Sequence, residues 1–346
     1  MKRILIFFGG CSTEYPVSLQ SAQAVLEHLD RSRFAPLMVG ITREGKWLYY
    51  TGDLEAIAAD RWQQQGNCTP CALIPDRGVK ELLLLDGSFT RLPFDAAFPV
   101  LHGKNGEDGT LQGLLELAGV PVIGCGSLSS ALCMDKDRSH KLAALAGVRV
   151  PGSAVFGPEA SMEEIQAAAQ ALGYPLFVKP VRAGSSFGIT RVAGLEQLAG
   201  AVSAAFENDR EILLEQAIEG FEVGCAVLGT RKLTLGAVDE IELSQGFFDY
   251  EEKYTLKTSA IHCPARISPQ KAEEIRRAAQ TIYRALDCKG FARVDLFLTP
   301  AGEIVFNEVN TIPGFTAHSR YPNMMRVVGL EFSQLITRLI ETELIP

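Results

Sequence analysis

Residues 291–322 have the sequence FARVDLFLTPAGEIVFNEVNTIPGFTAHSRYP, which contains two runs of alternating apolar and polar residues. The runs flank Thr299-Pro300-Ala301-Gly302, whose proline and glycine are typical of a tight turn. Alternation with a period of two is the pattern of a β-strand that buries one face. The stretch therefore predicts two antiparallel strands joined by a four-residue turn.

The alternation places the polar residues of this hairpin on one face. With a four-residue turn, Arg293 lies opposite Glu308 and Asp295 lies opposite Phe306. Asp295 and Glu308 are then diagonal neighbours with Cα atoms about 7–8 Å apart, and Asn310 shares their face. The other face carries four apolar residues, which are Val294, Leu296, Val305 and Val309.

Two carboxylates on a half-buried face repel each other unless a cation lies between them. Arg293 supplies part of that positive charge. A divalent ion that prefers oxygen ligands, such as Mg²⁺, could supply the rest, with Asn310 as a neutral ligand. A solvated strand face with a salt bridge explains the same spacing, and the spacing alone leaves both interpretations open.

The composition limits the class of protein. The chain has 346 residues, enough for two or three domains, and a net charge of −8. We do not expect an acidic chain to bind nucleic acid or an anionic membrane as its main partner. No apolar segment reaches the length of about 18 residues that suggests a membrane span.

The N-terminus and the cysteines indicate the compartment. MKRILIFFGG has an apolar run too short for a signal peptide, and no small-residue cleavage site follows it. The eight cysteines are scattered, and Cys68-x-x-Cys71 lacks the second pair of a zinc site. We therefore expect reduced thiols and a cytoplasmic protein.

The first residues predict the start of a doubly wound α/β domain. Arg3 to Phe8 form a strand, Gly9-Gly10 form a turn, and Pro16 opens a helix that runs to about Leu29. The spacing is not G-x-G-x-x-G, which argues against a nicotinamide-dependent dehydrogenase. Residues 52–92 are polar and rich in turns, and they give no firm prediction.

Three later segments carry further features. A predicted helix over 128–146 contains Asp-Lys-Asp-Arg, and such alternating charges predict a solvent-facing side. KPVRAGSSFGI, residues 179–189, joins two predicted strands through small polar residues, as a lid over phosphates does, but it lacks the P-loop spacing. Residues 245–263 form a long aromatic stretch, which is typical of a functional loop.

Seven motifs together resemble those of the D-alanine–D-alanine ligases of the ATP-grasp superfamily. They are GGCSTEYPVSL, LHGKNGEDGTLQG, ALCMDKDRSHKL, FVKPVRAGSSFGI, EGFEVGCAVLG, FFDYEEKYT and RVDLF…NEVNTIPGF. Each motif alone is weakly specific, but together they follow the family's order and span nearly the whole chain.

The resemblance implies an α/β fold, with α+β character in the C-terminal half, and an ATP-grasp architecture of three domains. We expect an N-terminal doubly wound α/β domain over 1–126, a central subdomain over 127–223 and a C-terminal catalytic domain over 224–346. ATP is expected between the sheets of the last two. Because family members are commonly homodimers, we expect a homodimer here.

The implied reaction is a two-step ligation that uses ATP and Mg²⁺. ATP phosphorylates the carboxylate of a first D-alanine, the amine of a second amino acid attacks the acyl phosphate, and phosphate leaves. Because two anions must meet, positioning and charge neutralisation supply most of the catalysis. The resemblance implies two Mg²⁺ ions, for which Mn²⁺ could substitute.

The resemblance also assigns roles to individual residues. The metal ligands are expected to be Asp295, Glu308 and Asn310. The nucleotide is expected to contact Lys136, Lys179, Ser185, Ser186, Glu215, Gln216, Ile218 and Glu222, with Glu215 at the adenine and Glu222 at the ribose. The amino-acid substrates are expected at Glu14 and His102 for the first D-alanine and at Ser319 and Arg320 for the second substrate. The other catalytic groups are expected to be Ser185, Arg293, the Gly314 N–H, and Lys253 and Tyr254 in a closing loop.

The identity of the second substrate depends on the end of the opening stretch. Housekeeping ligases usually have Met or Leu after the serine that matches Ser319, whereas this chain has Arg320. With GGCSTEYPVSLQSA and EEKYTLK, this pattern is similar to the vancomycin-resistance ligases of the VanG kind, which make D-alanyl-D-serine. Relatives that use D-lactate lack the Lys253-Tyr254 pair, so we expect D-serine, with D-alanine as the alternative.

Two other classes of function explain the motifs less well. Another ATP-grasp carboxylate–amine ligase would not need the motif around Glu14 or the Lys253-Tyr254 loop. A non-catalytic nucleotide-binding protein would be expected to lose its metal ligands or its lysines, and this chain has them all.

Overall fold

A computed structural model describes residues 1–64, 66–184, 187–243 and 259–344. Within these ranges the strands form sheets of seven, four and five strands, and no helix is long and apolar enough to cross a membrane. The strands are β1 (Lys2–Gly9), β2 (Phe34–Ile41), β3 (Trp47–Tyr50), β4 (Cys68–Leu73), β5 (Glu81–Leu84), β6 (Arg91–Pro93), β7 (Ala96–Pro99), β8 (Ser153–Phe156), β9 (Leu176–Pro180), β10 (Thr190–Val192), β11 (Ile212–Gln216), β12 (Phe221–Leu228), β13 (Thr234–Leu243), β14 (Ser259–His262), β15 (Phe291–Leu298) and β16 (Ile304–Asn310). The α-helices are α1 (Tyr15–His28), α2 (Leu54–Ala58), α3 (Thr110–Leu117), α4 (Ser127–Met134), α5 (Lys136–Leu145), α6 (Met162–Leu172), α7 (Leu195–Phe206), α8 (Pro269–Ala285), α9 (Arg320–Val327) and α10 (Phe332–Leu344).

The first strand of the N-terminal sheet is buried on both faces, as its apolar sequence predicts. The order of the sheet is β6-β5-β4-β3-β2-β1-β7, with β1 parallel to both β2 and β7. Ile4 and Ile6 pack in one core with α1 and α10, whereas Leu5 and Phe7 pack in another with α3. The unpredicted region 52–92 supplies β4, β5 and β6, which extend this sheet with antiparallel pairs.

Two antiparallel sheets make up the rest of the fold. The four-stranded sheet, in the order β10-β9-β11-β8, packs against α6 and α7. The five-stranded sheet has the order β14-β13-β12-β15-β16, and α8 covers one face through Ile275, Ala279 and Ile282. The predicted domain boundaries stay predictions, although β12 runs across the one placed between 223 and 224.

The predicted hairpin forms, but its turn is one residue shorter than predicted. The Thr299 N–H donates to the Glu303 carbonyl at 3.0 Å, which closes a loop of three residues rather than four. Gly302 ends that loop with a left-handed φ of +80°, a conformation that glycine adopts at little cost. The shift places Phe306 opposite Leu296 on the apolar face, so the predicted pairing of Phe306 with Asp295 is wrong.

A β-bulge then shifts the register a second time. Between the pairs Leu296–Phe306 and Asp295–Glu308, Asn307 is an extra residue with no cross-strand partner in the ladder. Asp295 therefore lies directly opposite Glu308, rather than diagonal to it as predicted. Arg293 lies opposite Asn310 in the same way, so the four polar residues share a face as predicted. Val305 is buried but pairs with Phe297, so it does not share the face of Val294.

The predicted helix over 128–146 is two helices with a break at Asp135. Asp135 has an extended ψ of 103°, and its carboxylate caps α5 by accepting from the Arg138 N–H at 2.9 Å. Asp135, Lys136 and Asp137 are buried, so the prediction of a solvent-facing side is wrong for them. The break places Lys136 in the first turn of α5, where it lines a cavity.

Candidate active site

A cavity of about 660 Å³ lies between the four-stranded and five-stranded sheets. Its volume is in the range of small-molecule sites. Aromatic side chains from both sheets, Phe177 and Phe297, form part of its wall. It brings together six of the predicted nucleotide residues: Lys136, Lys179, Glu215, Gln216, Ile218 and Glu222.

A buried ion pair lies on the wall that the four-stranded sheet contributes. Lys179 on β9 donates to Glu215 on the neighbouring strand β11 at 2.5 Å, and both side chains are less than a tenth exposed. Lys179 also lies 5.4 Å from the centroid of the Phe177 ring. A lysine and a carboxylate in a partly aromatic cavity can recognise a base and phosphates.

A second, narrow cavity of about 40 Å³ continues from the first. Lys136 and Glu308 line both, so they mark the junction. Glu14 and Glu107 complete the narrow cavity's acidic wall. The Lys136 ammonium donates to the Ala183 carbonyl at 2.7 Å, which ties α5 to the start of the loop that follows β9.

Glycine allows the carboxylate of Glu14 to approach two loops. A Cβ added at Gly103 would lie 2.5 Å from Glu14 Oε2, and one added at Gly184 would lie 2.7 Å from it. Gly103 also has a left-handed φ of +69°. Glycine is therefore needed at Gly103 in the motif LHGKNGEDG and at Gly184 in the motif RAGSS, because both lie against Glu14.

His102 and Glu107 hold the backbone that follows β16. His102 Nδ1 lies 2.8 Å from the Ile312 carbonyl oxygen, and Glu107 accepts from the Ile312 N–H at 3.0 Å. The second Glu107 oxygen accepts from the Gly103 N–H at 2.8 Å. Burial lowers the pKa of His102, whereas burial and then the charge of Glu14 raise the pKa of Glu107 to about 8.

The sequence interpretation missed Glu107. Its signal was available, because a carboxylate between two glycines in a loop that already contained a candidate histidine is a candidate site residue. His102 was assigned to the substrate, and in the structure both ring nitrogens have protein partners, since Nε2 lies 3.2 Å from the Ser21 hydroxyl.

A row of carboxylates crosses the polar face of the five-stranded sheet. Asp239 on β13 pairs with Gly224 on β12, Gly224 pairs with Asp295 on β15, and Asp295 pairs with Glu308 on β16. Directly paired residues project to the same side of a sheet. Three carboxylates and one glycine therefore form a continuous polar row.

A guanidinium group and an amide group donate hydrogen bonds to Asp295 in this row. The Arg293 guanidinium donates to both of its oxygens at 2.7–3.1 Å, and the Asn310 amide donates at 2.9 Å. No group of three His, Cys, Asp or Glu side chains suited to a metal occurs among the described residues. Two carboxylates and one amide oxygen on adjacent strands still form the hard, oxygen-only donor set that fits Mg²⁺.

Arg320 lies over the glycine of the row. Its Nε and Nη2 donate to Asp239 at 2.7 and 2.8 Å, and its Nη1 donates to Glu222 at 2.8 Å. A Cβ added at Gly224 would lie 2.4 Å from Nη2, so only glycine leaves room for the guanidinium. Burial opposes the charge, but Asp239 and Asp295 outweigh it and raise the pKa of Arg320 well above its ordinary value.

The sequence interpretation missed Asp239, the main partner of Arg320. Asp239 is fully buried on a strand with the sequence TLGAVDEIEL. A buried charge needs a partner, and two adjacent acidic residues in an apolar strand are a signal of one. It also missed α9, although Ser319 is a residue type that favours the N-cap position of a helix.

Gly314 and Ser319 lie next to each other beyond the hairpin. A Cβ added at Gly314 would lie 3.2 Å from the Ser319 hydroxyl oxygen. That hydroxyl accepts from the Thr316 N–H at 3.0 Å. Four other predicted site residues, Ser185, Ser186, Lys253 and Tyr254, lie outside the described residues.

Two family models cover most of the chain. The model described as "D-ala D-ala ligase N-terminus" matches residues 3–125, and that described as "D-ala D-ala ligase C-terminus" matches residues 143–341. The chain belongs to the D-alanine–D-alanine ligase family. The resemblance stated from the seven motifs is confirmed.

Individual relatives of the ligase family are similar over almost their full length. The crystal structure of the VanG D-Ala:D-Ser ligase from Enterococcus faecalis is 56% identical, with a TM-score of 0.92 and 99% of each chain covered. A D-alanine–D-alanine ligase from Caldicellulosiruptor bescii is 43% identical, covering 98% of this chain and 94% of that protein. The vancomycin C-type resistance protein VanC2 from Enterococcus casseliflavus is 43% identical, with 98% of each covered. The sheets described above are thus those of an ATP-grasp ligase.

Proposed function

We propose that this chain joins D-alanine to D-serine in an ATP-dependent reaction through a D-alanyl phosphate. Membership of the ligase family already makes it an ATP- and Mg²⁺-dependent ligase of D-alanine and a second substrate. The observation that carries the choice of D-serine is the Arg320 guanidinium, held over Gly224 by Asp239 and Glu222 next to Ser319.

The first half-reaction requires two anions to meet at the junction of the two cavities. Glu14 is proposed to bind the ammonium group of the first D-alanine. This contact turns the carboxylate of the D-alanine toward the γ-phosphate. Lys136 and Lys179 offset the phosphate charge. Bound Mg²⁺ would further neutralise the phosphates, and its proposed ligands are Asp295, Glu308 and Asn310. A carboxylate oxygen attacks the γ-phosphorus and ADP leaves.

The second half-reaction is proposed to take place beside Arg293 and Gly314. The amine of the second substrate attacks the acyl carbon, loses a proton, and phosphate leaves. Arg293 and the Gly314 N–H are proposed to donate to the oxyanion of the tetrahedral intermediate. Lys253 and Tyr254 are proposed to close the site, because an acyl phosphate exposed to water would be hydrolysed.

Arg320 provides the group that can distinguish a hydroxyl from a methyl. A guanidinium has five N–H donors, and the contacts with Asp239, Glu222 and Asp295 leave one Nη1 hydrogen without a partner among the described residues. We propose that it donates to the D-serine hydroxyl. A site built to hydrogen-bond a hydroxyl discriminates against the analogue that lacks it, whereas an apolar pocket would not.

Two relatives bear on the alternative of D-alanine as the second substrate. The D-Ala:D-Ser ligase is more similar to this chain, at 56% identity, than the D-alanine–D-alanine ligase, at 43%. This difference supports D-serine. Use of two Mg²⁺ ions, substitution by Mn²⁺, a homodimer and a cytoplasmic location stay predictions.

A competition assay tests the proposed second substrate. The enzyme is given ATP, Mg²⁺, D-alanine and equal concentrations of D-serine and D-lactate at neutral pH, and the products are separated by mass spectrometry. We expect D-alanyl-D-serine to be the main product. Predominant formation of D-alanyl-D-alanine or of the D-lactate ester would overturn the proposal.

A further inference from the structure

The polar face of the hairpin formed by β15 and β16 depends on the bulge at Asn307. If the register between β15 and β16 continued without it, Asp295 would lie opposite Asn307. Glu308 would then lie opposite Val294 and point into the apolar core. One extra residue thus decides whether Glu308 can act together with Asp295.

His140 holds the carbonyl of this extra residue. Its Nε2 lies 2.7 Å from the Asn307 carbonyl oxygen, and its ring packs edge-on against Phe306 with 5.3 Å between centroids. A carbonyl oxygen only accepts hydrogen bonds, so Nε2 carries the proton. His140 is 3% exposed, so water does not compete for this contact.

The other edge of the His140 ring faces the nucleotide cavity wall. Nδ1 lies 3.8 Å from Glu215 Oε2, and neither atom has a hydrogen-bond partner among the described residues. Glu215 Oε1 is the oxygen that accepts from Lys179. Burial lowers the pKa of His140 and keeps the ring neutral. One side chain therefore spans from the Lys179–Glu215 pair to the strand that carries Glu308.

We propose that His140 is a positioning residue that holds the bulge at Asn307, so that Glu308 faces Asp295, and that links this strand to Glu215. A histidine that only filled space would tolerate an apolar residue of similar volume. His140 instead supplies a donor to the one backbone carbonyl whose position sets the register. The inference rests on the proposed metal role of Glu308.

The test measures Mn²⁺ binding by electron paramagnetic resonance in the presence of ADP, alongside kcat. His140→Leu removes the donor and keeps most of the volume, whereas His140→Gln keeps an amide nitrogen near the Nε2 position. His28→Leu is the matched control, because His28 also binds a backbone carbonyl, that of Ala24, and packs edge-on against a phenylalanine.

We expect His140→Leu to weaken Mn²⁺ binding about tenfold, the size of one lost hydrogen bond, and to lower kcat. His140→Gln should recover most of both, and His28→Leu should change neither. If His140→Leu does not fold, His140→Gln must bind Mn²⁺ more tightly than His140→Asn, because the shorter amide does not reach the Nε2 position. Equal affinities of the His140 variants and wild type would overturn the inference.

Glu308→Gln separates this inference from the metal assignment on which it rests. If Glu308→Gln weakens Mn²⁺ binding and His140→Leu does not, only the role of His140 is wrong. If Glu308→Gln binds Mn²⁺ as wild type does, the metal role of Glu308 is wrong, and the inference is overturned with it.

Discussion

Asp295 has more than one charged partner, so its carboxylate both stabilises the buried guanidinium groups beside it and is a proposed metal ligand. Arg293 and Asn310 donate to it, and Arg320 Nη2 lies 3.4 Å from its Oδ1. A metal ion would have to share these oxygens with the two guanidinium groups. Removing the side chain would also leave two cations facing each other, so an isosteric substitution is a cleaner test than alanine.

We expect Asp295→Asn to lower the ligation rate at least about a hundredfold, because the amide cannot balance the cations at the reacting phosphates. Far-ultraviolet circular dichroism should show a folded protein. Asp95→Asn, which alters a carboxylate paired with Lys2 at the N-terminal sheet, is the control and should keep full activity. Ligation by Asp295→Asn at the wild-type rate would refute the metal role.

The protonation of His102 predicts a loss of stability in acid. Because burial lowers its pKa in the folded protein, the unfolded chain binds more protons at this residue below about pH 6.5. The free energy of unfolding must therefore fall as the pH drops below that value, until the folded pKa is reached. Above it, His102 is neutral in both states and has no effect.

Urea unfolding between pH 7.5 and 5 measures this dependence. We expect His102→Gln to flatten the acid slope of the unfolding free energy by up to about 1.4 kcal/mol per pH unit. His318→Gln, at an exposed position, should keep the wild-type slope. An unchanged slope in His102→Gln would show that another group causes the acid loss.

The pairing of strands in the five-stranded sheet brings Asp239, Asp295 and Glu308 into one row. Gly224 is central to it, since its missing side chain leaves room for Arg320 between Asp239 and Asp295. The helix α9 supplies Arg320 from its first residue, which follows Ser319 directly. Neither the glycine nor the helix was assigned from sequence, because the room that a glycine leaves depends on which strands lie beside it.

Gly224→Ala tests this packing. The added Cβ would lie 2.4 Å from Arg320 Nη2 and 2.8 Å from Asp239 Oδ1, so the guanidinium has to move. We expect a loss of stability of about 1–3 kcal/mol and a lower kcat/KM for D-serine. Gly200→Ala on α7, where an added Cβ meets nothing within 4 Å, is the control. It should keep kcat/KM and should not lower stability, because alanine is the better helix former. Wild-type kcat/KM in Gly224→Ala would contradict the role of Gly224 in leaving room for Arg320.

The hairpin shows how far sequence patterns reach. Alternation correctly predicted two strands and a shared face for Arg293, Asp295, Glu308 and Asn310. It could not predict the three-residue loop or the bulge, because their two one-residue register shifts add up to one full period of two and keep those residues on one face. The bulge is held by His140, a residue 167 positions away from Asn307, and local periodicity carries no information on such a contact.

The assembled molecule places groups from three parts of the chain around one junction. Glu14 and Glu107 come from the N-terminal part, Lys136 from α5 and Glu308 from β16. The contacts of His102 and Glu107 with Ile312 join the first and last of these. Motif order allowed the family and the architecture to be predicted, and the roles that it assigns to site residues stay predictions. Charges that are mutually buried, such as those of Asp239 and Arg320, become visible only when the strands are paired.

The most direct test of the account uses Arg320→Met, which introduces one of the residues usual in housekeeping ligases. The measured quantity is the ratio of kcat/KM for D-serine to kcat/KM for D-alanine as the second substrate. Arg338→Met, on α10 and outside the site, is the control. We expect the ratio to favour D-serine in wild type and the control, and to fall at least tenfold in Arg320→Met, since one hydrogen-bond donor to the hydroxyl is lost. A ratio that stays unchanged in Arg320→Met, or that favours D-alanine in wild type, would contradict the account.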